Sequence, residues 1–176
     1  MKLLKSLAAT VAMVALSGTA QAALVSLGNG TVRDTNTNLI WLQNWNVNGL
    51  ANWGAQKTWA ETTLNGFAGS NDWRLPEISE YVALFTAYGN LTQVAAFTDV
   101  RSVGYWSGTE YAPNPDLAWV FSTFVGFQNF DVKDSALYAV AVRPGDVAAS
   151  VPEPQTLALA LLALGAMVVA RRRRPV

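Results

Sequence analysis

The 176-residue sequence contains neither cysteine nor histidine. Without cysteine there is no disulfide framework, no thiol nucleophile and no cysteine-ligated zinc site. Without histidine, the commonest general base and the commonest transition-metal ligand are missing as well. An enzyme with this composition would have to rely on carboxylates or tyrosine. We therefore expect a non-catalytic protein that uses no cofactor.

Basic residues are scarce in the middle of the chain, although the overall net charge is zero. Residues 1–22 carry a charge of +2, residues 151–176 carry +3, and residues 23–150 carry −5. Six scattered Lys and Arg side chains provide no basic stripe for nucleic acid. All 19 aromatic residues lie in this central body, which is large enough to bury the core of one domain.

Residues 1–22 have the pattern of a secretory signal peptide. Lys2 and Lys5 precede an apolar run over residues 7–16, and Ala20 and Ala22 follow it as an Ala-x-Ala site. A positive start, a short apolar stretch and small residues at the cleavage site are typical of export signals. We expect signal peptidase to cut after Ala22, and the alternative is an uncleaved anchor helix.

Residues 151–176 have the pattern of a short membrane-spanning segment. An uncharged apolar run over residues 157–170 follows a proline-containing motif formed by Pro152, Glu153 and Pro154. Four arginines end this run: Arg171, Arg172, Arg173 and Arg174. Fourteen helical residues span about 21 Å, against about 30 Å of hydrocarbon in a bilayer. Because arginines stay on the cytoplasmic side, the sequence predicts a marginal transmembrane helix with the body outside the inner membrane.

This segment resembles the PEP-CTERM sorting signal, which combines a Pro-Glu-Pro motif, a short apolar helix and an arginine cluster in this order. The resemblance covers residues 151–174. It implies an exopolysaccharide-producing Gram-negative bacterium and cleavage near Pro-Glu-Pro by an integral-membrane exosortase. The precursor would be anchored in the inner membrane facing the periplasm, and the mature form would reach the cell surface or extracellular matrix. A permanent single-pass tail anchor is the alternative.

Residues 23–150 predict a single α+β domain with an N-terminal hairpin, two helices and an antiparallel β-meander. The polar residues 34–38 separate two apolar stretches, as the turn of a hairpin does. Apolar residues at helical spacing predict one helix over residues 55–64 and a second that begins near Ile78 and closes at Gly89. Turn signals separate four later strands, which are predicted over residues 105–109, 118–124, 127–132 and 137–142.

The body also resembles the DUF1566 family, the C-terminal domain type of the Legionella collagen-like adhesin. The distinctive motifs are Asp-Trp-Arg-Leu-Pro at residues 72–76 and Tyr-Trp-Ser at residues 105–107, and the similarity covers roughly Leu27 to Gly145. The resemblance implies a C-type-lectin-like fold, and the best-known member binds sulfated glycans. Sulfate binding needs clustered Lys and Arg, which a body of charge −5 lacks. We therefore do not extend that ligand to this chain.

Two short motifs in the body have both a structural and a functional interpretation. Asp34, Asn36 and Asn38 have the spacing that opens a calcium loop, but Leu39 replaces the glycine required at position six. A turn is favoured, because Asp and Asn side chains bond their own backbone. The sequence leaves open whether a metal is bound.

Asp72 and Arg74 flank Trp73, and in a strand both side chains would face away from the indole ring. We interpret them as a structural motif, a buried or half-buried charge pair beside a core tryptophan. The candidate partners in the same network are Arg143, Glu61 and Glu80.

Tryptophans supply the candidate ligand site. Trp41 and Trp59 lie on periodic apolar faces and are expected in the core, whereas Trp45 and Trp53 lie in or beside the Asn-rich loop of residues 44–52. Exposed indoles in such a loop predict a surface on which sugar rings stack. Weaker candidates of the same kind are Tyr105, Trp106 and Tyr111.

Together these observations predict an exported surface or matrix protein with a non-catalytic binding domain, for exopolysaccharide or another carbohydrate. The alternative is a structural or protein-interaction component of the extracellular matrix with no small ligand. Exposed Trp45 and Trp53 beside a groove would favour the first function, and a flat apolar patch would favour the second.

Overall fold

The computed structural model describes residues 23–145, so the predicted signal peptide and sorting segment lie outside the described residues. The strands in this range are β1 (Leu24–Ser26), β2 (Thr31–Asp34), β3 (Leu39–Leu42), β4 (Gly104–Glu110), β5 (Leu117–Ser122), β6 (Gln128–Val132) and β7 (Val142–Pro144). The helices are α1 (Trp53–Thr58), a π-helical turn (Trp59–Thr63), α2 (Ile78–Tyr88), and 3-10 turns at Phe67–Gly69 and Leu91–Gln93. The α+β class with two α-helices is thereby confirmed for the described part of the chain.

The strands form two antiparallel sheets, one in the order β1-β2-β3-β7 and the other in the order β4-β5-β6. The predicted fourth strand of the meander is wrong, because most of residues 137–142 cross from the second sheet to the first. Trp106 N donates to Tyr138 O, and Leu42 N donates to Ala141 O, the residue immediately before β7. Residues 139–142 are buried throughout. A segment enclosed on all sides is uniformly apolar and looks in sequence like another sheet strand.

Local signals set the limits of both α-helices. The Asn52 side chain caps α1 by accepting a hydrogen bond from Ala55 N at 2.8 Å, so this helix begins two residues before the predicted start. In α2, Glu77 and Glu80 form a reciprocal capping box, and Gly89 ends the helix at φ +71°. The second helix therefore matches its prediction at both ends.

Aromatic side chains from both sheets, from α2 and from the intervening loops meet in one core. Trp41 and Trp45 stack with ring centroids 5.8 Å apart, and Phe97 lies 5.0 Å from Trp45. On the other side, Tyr81 of α2 stacks on Phe121 of β5 at 5.1 Å. Close packing of large rings makes the two sheets and α2 one rigid unit.

Both ends of the described chain lie beside the turn between β2 and β3. Ala23 N donates to Thr35 Oγ1 at 3.0 Å, and Gly145 N donates to the Asn38 carbonyl at 2.7 Å. Within residues 23–145, none of the helices has the length and apolar character needed to cross a membrane.

Candidate functional site

The expected exposure of Trp45 and Trp53 is wrong. Trp45 is 0 % exposed because Trp41, Phe97 and Tyr105 enclose its ring, and Trp53 is 8 % exposed. The Trp53 indole N–H donates to the Ser107 carbonyl at 2.8 Å. Its ring face is also occupied, since Lys133 Nζ lies 4.4 Å from the centroid. Neither indole therefore offers a free face on which a sugar ring could stack.

Of the weaker candidates, Tyr105 and Trp106 are fully buried, whereas Tyr111 lies at the surface. Tyr111 stacks on Phe130 with centroids 4.3 Å apart, and Trp119 meets both rings edge-on at 5.4 and 6.2 Å. Phe130 is 41 % exposed, and the other two rings are half-buried. We call Tyr111, Trp119 and Phe130 the aromatic platform.

The register of the second sheet builds the platform. Trp119 of β5 lies directly opposite Phe130 of β6, and the period of two in a strand sends both side chains to the same face. Tyr111 follows β4, and its N–H donates to the Leu117 carbonyl at 3.0 Å, which holds the ring beside Trp119. The three rings are therefore fixed by backbone pairing rather than carried on a free loop.

A surface cavity of about 500 Å³ adjoins the platform at the open end of the β5–β6 hairpin. It is lined by Pro115, Asp116, Val132, Lys133 and Asp134. Val132 pairs with Leu117 and lies two residues from Phe130, which places it on the platform face of the sheet. The cavity and the platform are thus neighbouring parts of one surface, one polar and one aromatic.

The charge around this surface is negative. Between residues 110 and 134 the sequence has four carboxylates, on Glu110, Asp116, Asp131 and Asp134, and one amine, on Lys133. Lys133 Nζ lies 3.1 Å from a Glu110 carboxylate oxygen as well as over the Trp53 ring, so its charge is already matched. This surface can bind an apolar ring face and hydroxyl groups, but it opposes an anion.

The Asp-Trp-Arg motif forms a structural ion pair. Arg74 binds Glu80 through both guanidinium nitrogens, at 2.8 and 2.6 Å, and this hydrogen bond raises the Arg74 pKa above its ordinary value. The predicted inclusion of Asp72 and Glu61 in this ion-pair network is wrong. Asp72 is exposed, and the Glu61 carboxylate lies 3.8 Å from Lys57 Nζ at the surface.

Arg143 belongs to the other side of the same motif. It is 5 % exposed, and its guanidinium carbon lies 5.7 Å from the centroid of the Trp73 ring. Arg143 Nη1 also donates to the Pro144 carbonyl at 3.2 Å. This arrangement packs a cation on a core indole and fixes β7 beside the motif.

The Asp34–Asn38 segment is a turn, as its side-chain chemistry predicts. The buried Asp34 carboxylate accepts hydrogen bonds from Asn36 N at 3.0 Å, Thr37 Oγ1 at 2.7 Å and Tyr88 Oη at 2.8 Å. Asn38 adopts φ +55°, which Asn tolerates in turns. In residues 23–145, no group of three or more acidic side chains is arranged to hold a metal ion.

Sequence reasoning missed Trp119 and Phe130. Each belongs to a strand with alternating apolar positions, and Gly126 marks the turn between the strands. Pairing the two strands across that turn would have placed the two rings opposite each other.

Comparison with known families agrees with the sequence resemblances. A family model described as the Lcl C-terminal domain, of the DUF1566 type, matches residues 30–143, about two thirds of the chain. A second model, described as the PEP-CTERM protein-sorting motif, matches residues 150–174. The sorting motif implies an exported protein that an exosortase processes. No curated protein matches the chain.

Proposed function

Because the chain belongs to the Lcl C-terminal domain family and carries a PEP-CTERM sorting motif, we propose that it is an exopolysaccharide-associated, carbohydrate-binding protein. It acts without catalysis, on a C-type-lectin-like domain. The precursor is anchored in the inner membrane by its C-terminal segment, and the mature form resides at the cell surface or in the matrix. The sugar binds on the aromatic platform and extends into the adjoining cavity.

The single observation that carries this proposal is the stack of Tyr111 on Phe130 beside Trp119 on an exposed sheet face. Exposed clusters of large aromatic rings are uncommon on monomeric proteins and mark binding surfaces. The C–H groups on one face of a pyranose ring pack against such rings. The cavity beside Val132 brings the Asp116 and Asp134 side chains within the same surface, where they accept hydrogen bonds from sugar hydroxyls.

The negative charge of this surface specifies the class of carbohydrate. Asp116 and Asp134 line the cavity beside the platform, and the amine of Lys133 in the same cavity is already matched by Glu110. A sulfated or uronic chain would meet like charge at both aspartates. The preferred ligand is therefore a neutral polysaccharide, in contrast to the sulfated ligand that the family resemblance suggests.

Binding of residues 23–150 to a glycan array and to purified neutral and sulfated polysaccharides tests the proposal. Trp119→Ala should weaken neutral-glycan binding at least about tenfold, or by ~1.4 kcal/mol, because a central aromatic contact is lost. Phe124→Ala, an exposed aromatic residue outside the platform, is the matched control and should bind like the parent. Undiminished binding by Trp119→Ala, or the absence of glycan binding by the parent, would reject the platform as the site.

The edge position of β6 favours a second candidate, a structural matrix component. β6 pairs only with β5 among the described strands and exposes Phe130 and Val132. An open strand edge with apolar side chains can add a strand from another protein. Concentration-dependent association measured by sedimentation, combined with an absence of glycan binding, would favour this second function.

A further inference from the structure

The turn between β5 and β6 exposes a second apolar surface, separate from the platform. Phe124, Val125 and Phe127 are 51–64 % exposed, and we call these three residues the hairpin tip. Val103 is also exposed beside them, and its carbonyl accepts a hydrogen bond from Thr123 N. No charged residue lies between Asp116 and Asp131, so the whole tip is uncharged. An exposed cluster of this kind requires an apolar environment outside the domain.

A series of contacts through α2 connects the hairpin tip to the point where the chain leaves the domain. Gly126, within the tip, packs so closely on Phe85 of α2 that an added Cβ would lie 2.6 Å from the ring. Tyr88, on the next turn of α2, donates a hydrogen bond to Asp34. The turn that begins at Asp34 binds Gly145 through Asn38. A short series of contacts therefore joins the tip to the last described residue.

The length of chain beyond Gly145 keeps this end of the domain close to the sorting segment. Eleven residues, 146–156, separate Gly145 from the start of the apolar run at Leu157. Fully extended, eleven residues reach at most about 40 Å. When the apolar run is in a bilayer, Gly145 therefore lies within about 40 Å of the membrane surface, and the contacts described above join the tip to Gly145.

Charge also determines which end of the domain can approach a membrane. Asp116 and Asp134 lie beside the platform at the open end of the hairpin, whereas α2 and its following loop have no charge over residues 81–98. Near the tip, Thr123 Oγ1 donates to the Arg101 carbonyl, and the Arg101 guanidinium pairs with Asp99 at 3.2 Å. An anionic lipid surface repels the platform end and not the tip end.

We propose that the hairpin tip is a membrane contact of the anchored precursor. Phe124, Val125 and Phe127 enter the headgroup region of a phospholipid bilayer and complete a second attachment beside the sorting segment. Two attachments fix the orientation of the domain, with the platform directed away from the lipid. This inference depends on the proposed membrane-anchored precursor and is independent of the proposed glycan binding.

Single-cysteine labelling tests the contact directly, because the natural sequence has no cysteine. Full-length Val125→Cys, labelled with an environment-sensitive fluorophore, is reconstituted in vesicles of phosphatidylethanolamine and phosphatidylglycerol. Val132→Cys is the matched control, since it has similar exposure at the opposite end of the same hairpin. Resistance of the chain to an alkaline wash of the vesicles reports separately whether the sorting segment is anchored.

The label at position 125 should emit at shorter wavelength than the label at position 132 and be quenched at least about twofold more by lipid-borne nitroxides. Adding Phe124→Ser and Phe127→Ser should return the label to a water-like emission while thermal unfolding stays unchanged. Equal, water-like emission at both positions in wash-resistant vesicles overturns the tip contact and leaves the anchor intact. Shielding that follows protein density and ignores lipid nitroxides assigns the tip to a second copy of the chain instead. Loss of the chain in the wash contradicts the anchor and the tip contact together.

Discussion

The two ends of the β5–β6 hairpin both expose aromatic rings, but in opposite electrostatic surroundings. At the open end the platform is flanked by Asp116 and Asp134, and at the closed end the tip has no charged residue. Carboxylates beside aromatic rings can accept hydrogen bonds from the hydroxyl groups of a sugar. Uncharged apolar surroundings are instead compatible with lipid. In the two proposals, exposed aromatic rings mark the candidate binding surface, and the neighbouring charges specify the class of ligand.

The largest expected effect on stability comes from a substitution in the turn at the closed end of the hairpin. Gly126 has φ +72° and no room for a Cβ beside the Phe85 ring, so Gly126→Ala should lower the free energy of unfolding by about 3 kcal/mol. Gly28→Ala is the matched control, because Gly28 has φ +74° and nothing within 4 Å of an added Cβ. It should cost only about 1 kcal/mol. Urea unfolding of both variants measures the difference, and equal losses would refute the close packing of the tip on α2.

High pH should lower the free energy of unfolding, because several tyrosine phenols in or beside the core have raised pKa values. Burial raises the pKa of Tyr105 to about 12 and the pKa of Tyr81 and Tyr88 well above 10. Because the folded state favours the protonated phenols, this stability is fully present below pH 10 and is lost as the pH rises towards the raised pKa values. For the buried Tyr105 phenol alone, we expect the free energy of unfolding to fall by about 2 kcal/mol between pH 9 and pH 12.

Denaturant titrations across this pH range provide the measurement. Tyr88→Phe should reduce the dependence on pH, because it removes the phenol that donates to Asp34. A free energy of unfolding that stayed constant to pH 12 would contradict the burial of the Tyr81 and Tyr105 phenols.

A smaller effect on stability is expected from replacing Lys133, whose amine pairs with Glu110 at the open end of the β5–β6 hairpin. Lys133→Met removes the 3.1 Å ion pair with Glu110 and the cation over the Trp53 ring. Both contacts lie near the surface, so the free energy of unfolding should fall by no more than about 1 kcal/mol. Lys57→Met is the control and should cost less, because it removes a longer 3.8 Å surface pair with Glu61 and a more distant cation, 5.2 Å from the Trp53 centroid. Thermal unfolding at low and high salt compares the two variants.

The smallest expected effect is on ligand class and sharpens the contrast in charge. Asp116→Asn together with Asp134→Asn removes two carboxylates from the cavity beside the platform. Binding of sulfated glycans should then rise a few-fold at low ionic strength, because less like charge opposes the anion. Neutral-glycan binding should change little. An unchanged preference between the two glycan classes would show that charge does not set the specificity of this surface.

Features determined by neighbouring residues could be read directly from the sequence. The limits of α2 follow from a capping pair, Glu77 with Glu80, and from Gly89 at its end. The turn at residues 34–38 follows from side chains that bond their own backbone. The sorting motif, a contiguous pattern, was identified within one residue of the matched range.

Features determined by distant residues could not be read in this way. Trp45 lies in a polar loop, yet Phe97, about fifty residues later, returns to cover its ring. Residues 137–142 have the composition of a sheet strand, and their path between the two sheets depends on partners in β3 and β4. The platform lies between these cases, since its strands were predicted and only their register was missing.

Both ends of the described chain meet at the β2–β3 turn. The domain therefore projects to one side of its two attachment points and does not separate them. Ala23 and Gly145 both bind residues of that turn, Thr35 and Asn38, so the two ends of the described domain are held at one corner. A force applied to either end of the domain therefore acts at this corner, on strands of the first sheet. The second sheet, which carries the platform, does not lie between the two points where the force is applied.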